Sequence, residues 1–314
     1  MKGQHSQSAD GGGAACAATL RRPSVKLRLF REKVIEIAIL VCGYLSIAIV
    51  ALIFLFLAKE AVSLFSTENP FAVITGTKWY PISDPPKFGL VPLLLGSLFV
   101  TVGATIIVIP LGVGTAIFIS EVAPNWLKEI LKPTVEILAS IPSVVVGFIA
   151  ILILGPTLKS VFDLPTGLTA LTGSIALAFM AAPTVISISE DALRAVPVTY
   201  REASLALGAT EWQTAYRVTA PAAASGIVVA IMLGIGRVIG ETMAVLMVTG
   251  NAALIPHSFL QPVRTMTATI AAEMGEVVRG SSHYYALFFI GLVLFIITFL
   301  INMAAEIFLH RGRS

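Results

Sequence analysis

The chain has 314 residues, of which 56% are hydrophobic and only 12% are charged, and its mean hydropathy is +0.90. Soluble domains carry about 25% charged residues, so this composition excludes a soluble globular protein and indicates an integral membrane protein. The formal net charge is only +3. We expect contacts with membrane lipid and no nucleic-acid partner.

The sequence offers no recognisable catalytic or metal site. Its two cysteines, Cys16 and Cys42, and its four scattered histidines show no spacing typical of a disulfide framework or a metal site. Walker A, nucleophile-elbow and H-E-x-x-H motifs do not occur in it. We therefore expect no catalytic residue, no metal and no cofactor on this chain, and any driving ATP, with its Mg, must be bound by another subunit.

The first 33 residues precede the apolar sequence. They are rich in Gly, Ala and Ser up to Ala18 and then basic, which predicts a disordered, basic cytoplasmic tail over residues 1–33. Arg21-Arg22 resembles a twin-arginine signal, but the apolar stretch starts too far downstream and is too long for one.

Six apolar stretches then follow, each long enough to cross a bilayer as a helix. The predicted fold is all-α with six transmembrane helices: a first helix within residues 34–60, and a core over residues 90–310. The predicted spans are Ile35–Ala58, Leu90–Ser120, Thr134–Leu154, Thr172–Ser189, Ala222–Gly250 and Tyr284–Leu309. Prolines inside them are tolerated because neighbouring helices satisfy the freed carbonyls.

Basic residues predict the orientation. With the N-terminus inside, 14 of the 21 Lys and Arg residues fall in inner segments and six in outer ones. This bias predicts a multi-pass protein with both termini in the cytoplasm. The outer loop Ile255–His283 is long, and its sequence predicts a short amphipathic piece around Met266–Val278.

The fifth predicted span carries two charges, Arg237 and Glu241. Each costs roughly 2.5–3.5 kcal/mol at the centre of a spanning helix. Their i, i+4 spacing predicts that they share one helix face and partly neutralise each other. Either they form a structural ion pair or they face a polar substrate path, and we favour the path. Gly236 and Gly240 form a small-residue face that lets another helix approach.

The inner loop at residues 190–221 is the second candidate site. Its composition predicts two short helices separated at Gly208, with Thr210 capping the second. Apolar side chains are expected on its surface at Leu205, Ala209, Trp212, Ala215 and Tyr216. This surface either packs back onto the spans or docks into a groove of a soluble partner.

The same loop carries a recognisable motif. Glu202-Ala203-Ser204, followed by Gly208 and then Val218-Thr219-Ala220-Pro221, resembles the EAA motif of ABC-importer permeases. Ser204 stands in place of the usual third alanine, and Val218 in place of the common isoleucine.

Two further segments resemble one branch of that class. The run Gly236-Arg237-Val-Ile-Gly240-Glu241-Thr-Met-Ala-Val is similar to the corresponding helix of PstC-type phosphate permeases. Glu136–Ser143, followed by Gly147, also resembles that family. The similarity covers roughly residues 90–305.

The resemblance implies a MetI-like permease bundle, with an added first helix, in the cytoplasmic (inner) membrane of a bacterium. It implies import of inorganic phosphate with a PstA-like permease, two ATPase subunits and an external phosphate-binding protein. Glu202, Ala203, Gly208 and Pro221 would contact the ATPase, and Arg237 and Glu241 would line the path.

Four alternatives remain open. The chain could carry another oxyanion (sulfate, molybdate or phosphonate), or it could be the PstA-like subunit. More remotely, it could be a membrane-embedded enzyme that uses Arg237 and Glu241 as an acid/base pair, or a scaffold.

Overall fold

The computed structural model describes residues 25–66 and 68–311, and the side chains of residues 32–66 and 68–307. Helices dominate this part of the chain, as predicted. The helices of its first half are α1 (Val25–Ser63), α2 (Pro70–Thr75), α3 (Val91–Ile117), α4 (Asn125–Ala139), α5 (Ser143–Ile149), α6 (Gly155–Val161) and α7 (Ala170–Arg194). Its second half contains α8 (Val198–Ala206), α9 (Glu211–Thr214), α10 (Ala220–Ala222), α11 (Ala224–Gly240), α12 (Met243–Val248), α13 (Met266–Glu273) and α14 (Ser282–Arg311).

Shorter elements connect these helices. Three π-helical turns and one 3-10 turn occur in the described residues: Phe118–Val122, Ala150–Leu154, Ala215–Thr219 and Leu64–Ser66. Two short antiparallel strands, β1 (Trp79–Tyr80) and β2 (Lys87–Phe88), form a hairpin with Trp79 opposite Phe88.

Five helical segments of the described chain are long and apolar enough to span a membrane: Glu32–Ser66, Val91–Val122, Ser143–Val161, Ala170–Arg194 and Ser282–Ile307. A sixth candidate is a pair of helical segments, Glu211–Ala222 and Ala224–Gly240, bent by 72°. The prediction of a multi-span helical membrane protein is confirmed, with five to six spans.

The chain divides into two units within α1, one up to Ile53 and the other from Phe54. In the first unit, the apolar side chains of α1 from Val34 onward are exposed, as suits a helix surrounded by lipid. Residues 1–24 of the predicted tail lie outside the described part. Residues 25–33 are helical, contrary to the predicted disorder, because Lys, Leu, Arg and Glu all favour a helix there.

The core of the second unit lies where α3, α7 and α11 meet around the buried side chain of Val185. A Cβ atom added at Gly112 of α3 would lie 2.9 Å from Val185 Cγ1, and one at Gly234 of α11 would lie 2.5 Å from Val185 Cγ2. Small residues therefore let both helices approach α7 closely.

The predicted third span, Thr134–Leu154, is wrong. Helix α4 ends at Ala139, and Pro142 adopts an extended backbone (ψ 137°) before α5 begins. A proline disfavours helical backbone at the residue before it, which separates the two helices. The apolar span instead runs from Ser143 to Val161 through the π-helical turn.

The predicted fifth span, Ala222–Gly250, is also not one helix. Helix α11 ends at Gly240, Glu241 is extended (ψ 133°), and α12 begins at Met243. Non-helical backbone inside a membrane protein needs partners within the protein. Thr267 supplies one, because its Oγ1 donates to the Glu241 carbonyl at 2.8 Å. Thr267 belongs to α13, which forms within the predicted piece Met266–Val278.

Candidate functional sites

Arg237 lies at the interrupted helix. It occupies the last turn of α11, is exposed, and donates from Nη1 to Thr184 Oγ1 of α7 at 3.0 Å. Within residues 32–66 and 68–307, no carboxylate lies within ion-pair distance of Arg237. The negative end of the α11 dipole stabilises a cation there by about 0.3–1 kcal/mol.

The predicted neutralisation of Arg237 by Glu241 on one helix face is wrong. Since α11 ends at Gly240, Glu241 is not one turn further along the same helix. Its Oε1 instead accepts a hydrogen bond from the Ala244 N–H at 3.3 Å, in the first turn of α12. The two charges thus lie at different helix ends: Arg237 at the C-terminus of α11 and Glu241 at the N-terminus of α12.

This arrangement leaves Arg237 available to an anion. A guanidinium carries about five N–H donors, and Thr184 is the one hydrogen-bond partner that the described residues give it. The remaining donors can bind an oxyanion in a forked, charge-assisted geometry. Interrupted helices with charges at their ends are typical of substrate sites in transporters.

Of the two glycines beside Arg237, Gly240 faces open space within the described chain, whereas Gly236 lies within contact distance of α14. A Cβ atom added at Gly236 would meet Asn302 Oδ1 at 3.7 Å, and one at Gly240 would meet nothing within 4 Å. Two other glycines of α11, Gly226 and Gly234, pack more closely, and neither was predicted from the sequence. The open space at Gly240 has room for a helix from another subunit.

The loop at residues 190–221 folds as predicted. Helix α8 ends before Gly208, whose φ of +84° is the left-handed conformation that glycine adopts without strain. Thr210 then caps α9, because its Oγ1 accepts from the Gln213 N–H at 3.2 Å and Gln213 Oε1 accepts from the Thr210 N–H at 3.0 Å. The turn between the two helices is thus fixed at both ends.

The loop presents an apolar surface beside its motif residues. Four motif residues are exposed: Glu202, Ala203, Gly208 and Pro221. Large exposed side chains accompany them, with 90% exposure at Leu207, 64% at Trp212 and 65% at Tyr216. Ala215, which we predicted on this surface, is buried. The reason is that Thr214 Oγ1 and Ser204 Oγ lie 2.9 Å apart, so this side of α9 turns inward toward α8.

A charged cluster near this loop was not predicted from the sequence. Glu190 of α7 is only 2% exposed and pairs with Lys132 of α4 at 3.0 Å and with Arg194 one turn later. The hydrogen bond and charge of Glu190 raise the pKa of Lys132 above its ordinary 10.5, although burial opposes this. The cluster fastens α4 to the end of α7, beside the loop.

A second unpredicted cluster centres on Glu273 at the end of α13. Its carboxylate accepts hydrogen bonds from Arg264 Nη1 at 2.6 Å and from Trp79 Nε1 at 3.2 Å. The same carboxylate lies 2.8 Å from His283 Nε2. Arg264 Nε also donates to Asn251 Oδ1 at 3.0 Å. The Glu273 carboxylate therefore links the hairpin, the segment before α13 and the start of α14. The cluster borders a cavity of about 650 Å³. The sequence signal was weak, because these residues are up to 194 positions apart.

Glu273→Ala should destabilise the protein by roughly 2–4 kcal/mol, because three partly buried partners lose their shared acceptor. A lower melting temperature of the purified protein in lipid or detergent would report this. Glu276→Ala is the matched control, since Glu276 is exposed nearby. Equal melting temperatures for the two variants would contradict the central role of Glu273.

The fold and the sequence place the chain in one class. The family described as binding-protein-dependent transport system inner membrane component matches residues 109–313, and the chain belongs to this family. It is thus a membrane component of an ABC importer. Two solved structures share the fold. A chain of the MetNI methionine ABC transporter matches with a TM-score of 0.58 and 21% identity, over 74% of this chain and 99% of its own. A chain of a bacterial alginate ABC transporter matches with a TM-score of 0.60 and 15% identity, over 87% of this chain and 94% of its own.

Curated relatives narrow the class. The probable ABC transporter permease protein YqgH of Bacillus subtilis is 40% identical over 82% of this chain and 84% of its own length. The phosphate transport system permease protein PstC of Mesorhizobium japonicum is 34% identical over 83% of this chain and 86% of its own length. The phosphate transport system permease protein PstC 1 of Mycobacterium tuberculosis is 34% identical over 76% of this chain and 81% of its own length. The resemblance to PstC-type permeases is therefore confirmed.

Proposed function

We propose that this chain is a permease subunit that moves inorganic phosphate into a bacterial cell through the cytoplasmic membrane. In this proposal it pairs with a PstA-like permease, two copies of an ATPase subunit and an extracytoplasmic phosphate-binding protein. Both of its termini lie in the cytoplasm. The observation that carries the proposal is the exposed guanidinium of Arg237 at an interrupted helix, hydrogen-bonded to a neutral hydroxyl rather than to a carboxylate.

The chemistry of the substrate fits this site. Inorganic phosphate carries about one to two negative charges near neutral pH, and a membrane interior repels it. A fixed cation with several free donors lowers that barrier, and arginine stays protonated throughout. Thr184 holds the guanidinium without neutralising it, so the contact with phosphate remains strong enough to form and weak enough to release.

Glu241 limits the affinity in this scheme. As an anion near the path, it opposes prolonged retention of phosphate, and its carboxylate can accept a hydrogen bond from a protonated phosphate oxygen. Sulfate lacks that proton at neutral pH. The open space at Gly240 receives a helix of the PstA-like partner, which brings the path together between the two permeases.

The loop at residues 190–221 supplies the coupling to ATP. Its exposed apolar residues and Glu202 insert into a groove of the ATPase subunit, in the manner of a helix docking into a groove. Closure of the ATPase pair then moves the loop and rocks the spans between outward-open and inward-open states.

The test is uptake of labelled phosphate by cells that lack this chain and carry the remaining subunits. Complementation with the wild-type chain should restore uptake, and excess sulfate, molybdate or phosphonate should not reduce it. Reduced phosphate uptake in the presence of one competitor would show that the transporter also binds that oxyanion, and would contradict selectivity for phosphate. Absence of phosphate uptake from the wild type would remove the phosphate assignment and leave the ABC-permease class standing.

A further inference from the structure

Arg201 precedes the exposed motif residue Glu202 but is turned toward the spans. Its side chain is 23% exposed, and it donates from Nη2 to Glu121 Oε1 at 2.7 Å and from Nε to Glu121 Oε2 at 3.1 Å. Nη2 also donates to the Leu193 carbonyl at 2.9 Å. One guanidinium thus joins α8 to the end of the Val91–Val122 span and to the end of α7.

Both of its partners lie at the C-terminal end of a helical segment. Glu121 lies in the π-helical turn that ends its span, and its side chain is only 8% exposed. A carboxylate near a helix C-terminus opposes the helix dipole and is unfavourable unless it is paired. Leu193 lies in the last turn of α7, and its carbonyl accepts from the Val196 N–H at 3.3 Å as well as from Arg201. Arg201 satisfies both with one rigid fork.

Within residues 195–221, the other side-chain bonds stay inside that segment. Thr210 and Gln213 bond to each other's backbone, and Ser204 bonds to Thr214. Among the described loop residues 195–221, Arg201 is the one whose side chain bonds to the spans. This guanidinium therefore connects α8 directly to the ends of the second and fourth spans.

We infer that Arg201 is a positioning residue that transmits movement of α8 to these two spans through Glu121 and Leu193. This inference rests on the proposed docking of the loop to an ATPase subunit. A bidentate arginine–carboxylate pair resists both sliding and rotation, whereas a single hydrogen bond lets the two elements swivel. The π-helical turn that holds Glu121 is a structure often found at functional sites.

The experiment uses the complete transporter in proteoliposomes, with Arg201→Glu, Glu121→Arg and the double variant R201E/E121R. Each single variant should lower the phosphate transported per ATP hydrolysed by about tenfold, and the double variant should restore it to within about threefold of wild type. Arg201→Lys should give a ratio of phosphate to ATP between those of Arg201→Glu and wild type, because lysine keeps the positive charge but lacks the forked pair of donors. A residue that merely stabilised the fold would lower the yield of complex without changing this ratio.

A second readout does not depend on the substrate. In a background with Cys16→Ser and Cys42→Ser, the substitution Gly114→Cys provides a reporter on the second span, where a Cβ atom meets nothing within 4 Å. Its rate of maleimide labelling is compared with and without ATP and vanadate. ATP with vanadate should change the rate several-fold in otherwise wild-type complex and in R201E/E121R, and leave it unchanged in Arg201→Glu.

The transport ratio and the labelling rate together distinguish failure of the phosphate assignment from failure of the role proposed for Arg201. If wild-type complex moves no phosphate but shows the nucleotide-dependent labelling, the substrate assignment fails and the labelling data alone decide the role of Arg201. If Arg201→Glu retains both the wild-type transport ratio and the wild-type labelling change, the inference is overturned. A wild-type complex without any labelling change would overturn it as well, since no movement would then reach the second span.

Discussion

Arg237→Glu is expected to abolish phosphate uptake while the transporter still assembles. The substitution places a carboxylate where the described chain holds a cation hydrogen-bonded only to Thr184, so an anion meets repulsion in place of attraction. The expected loss is about 100-fold or more in the rate of labelled phosphate uptake. Assembly is measured by co-purification of the other subunits.

Milder substitutions at Arg237 should give a graded series. Arg237→Lys keeps a positive charge but loses the forked donors, and we expect roughly tenfold slower uptake. Arg237→Gln loses the charge, and its rate of phosphate uptake should be about 10- to 100-fold below wild type. Arg279→Gln is the matched control, because it removes the same charge from an exposed loop position. Wild-type uptake in Arg237→Gln would remove this residue from the path.

Glu202→Lys is expected to detach the ATPase subunit. Glu202 is exposed on α8 at the rim of the apolar surface, and a reversed charge at a docking rim opposes a complementary groove. Co-purified ATPase and binding-protein-stimulated ATP hydrolysis should both fall by about tenfold or more. Glu276→Lys makes the same charge change in a different loop and should leave both near wild type. Normal co-purification in Glu202→Lys would show that the docking surface lies elsewhere.

Gly208→Val tests the same surface through the backbone. At φ +84°, a β-branched residue costs about 1–2 kcal/mol or more, so the turn between α8 and α9 should relax. That energy corresponds to about a 5- to 30-fold loss of the docking-competent conformation, measured as weaker ATPase binding. Gly275→Val is the control, because Gly275 has open space around it and does not lie in the loop. Equal ATPase binding by the two glycine variants would contradict a preformed turn.

Much of the architecture followed from local sequence. Uninterrupted apolar stretches predicted the membrane helices, because their length and lack of charge are properties of each segment alone. The glycine at 208 and the threonine at 210 predicted the paired helices of the loop for the same reason, since left-handed glycines and caps act on adjacent residues. Charge in an apolar stretch was enough to single out Arg237.

The tertiary structure decided how those residues are used. Periodicity placed Arg237 and Glu241 on one face, but it assumed that the helix continued, and the break after Gly240 gives each charge a separate helix end. The Glu273 cluster and the Arg201–Glu121 bridge join residues that are far apart in sequence, so no local pattern marked them. Sequence alone thus determined the class of membrane protein and the candidate residues. Packing between distant segments decided their partners, because those contacts exist only once the helices have assembled.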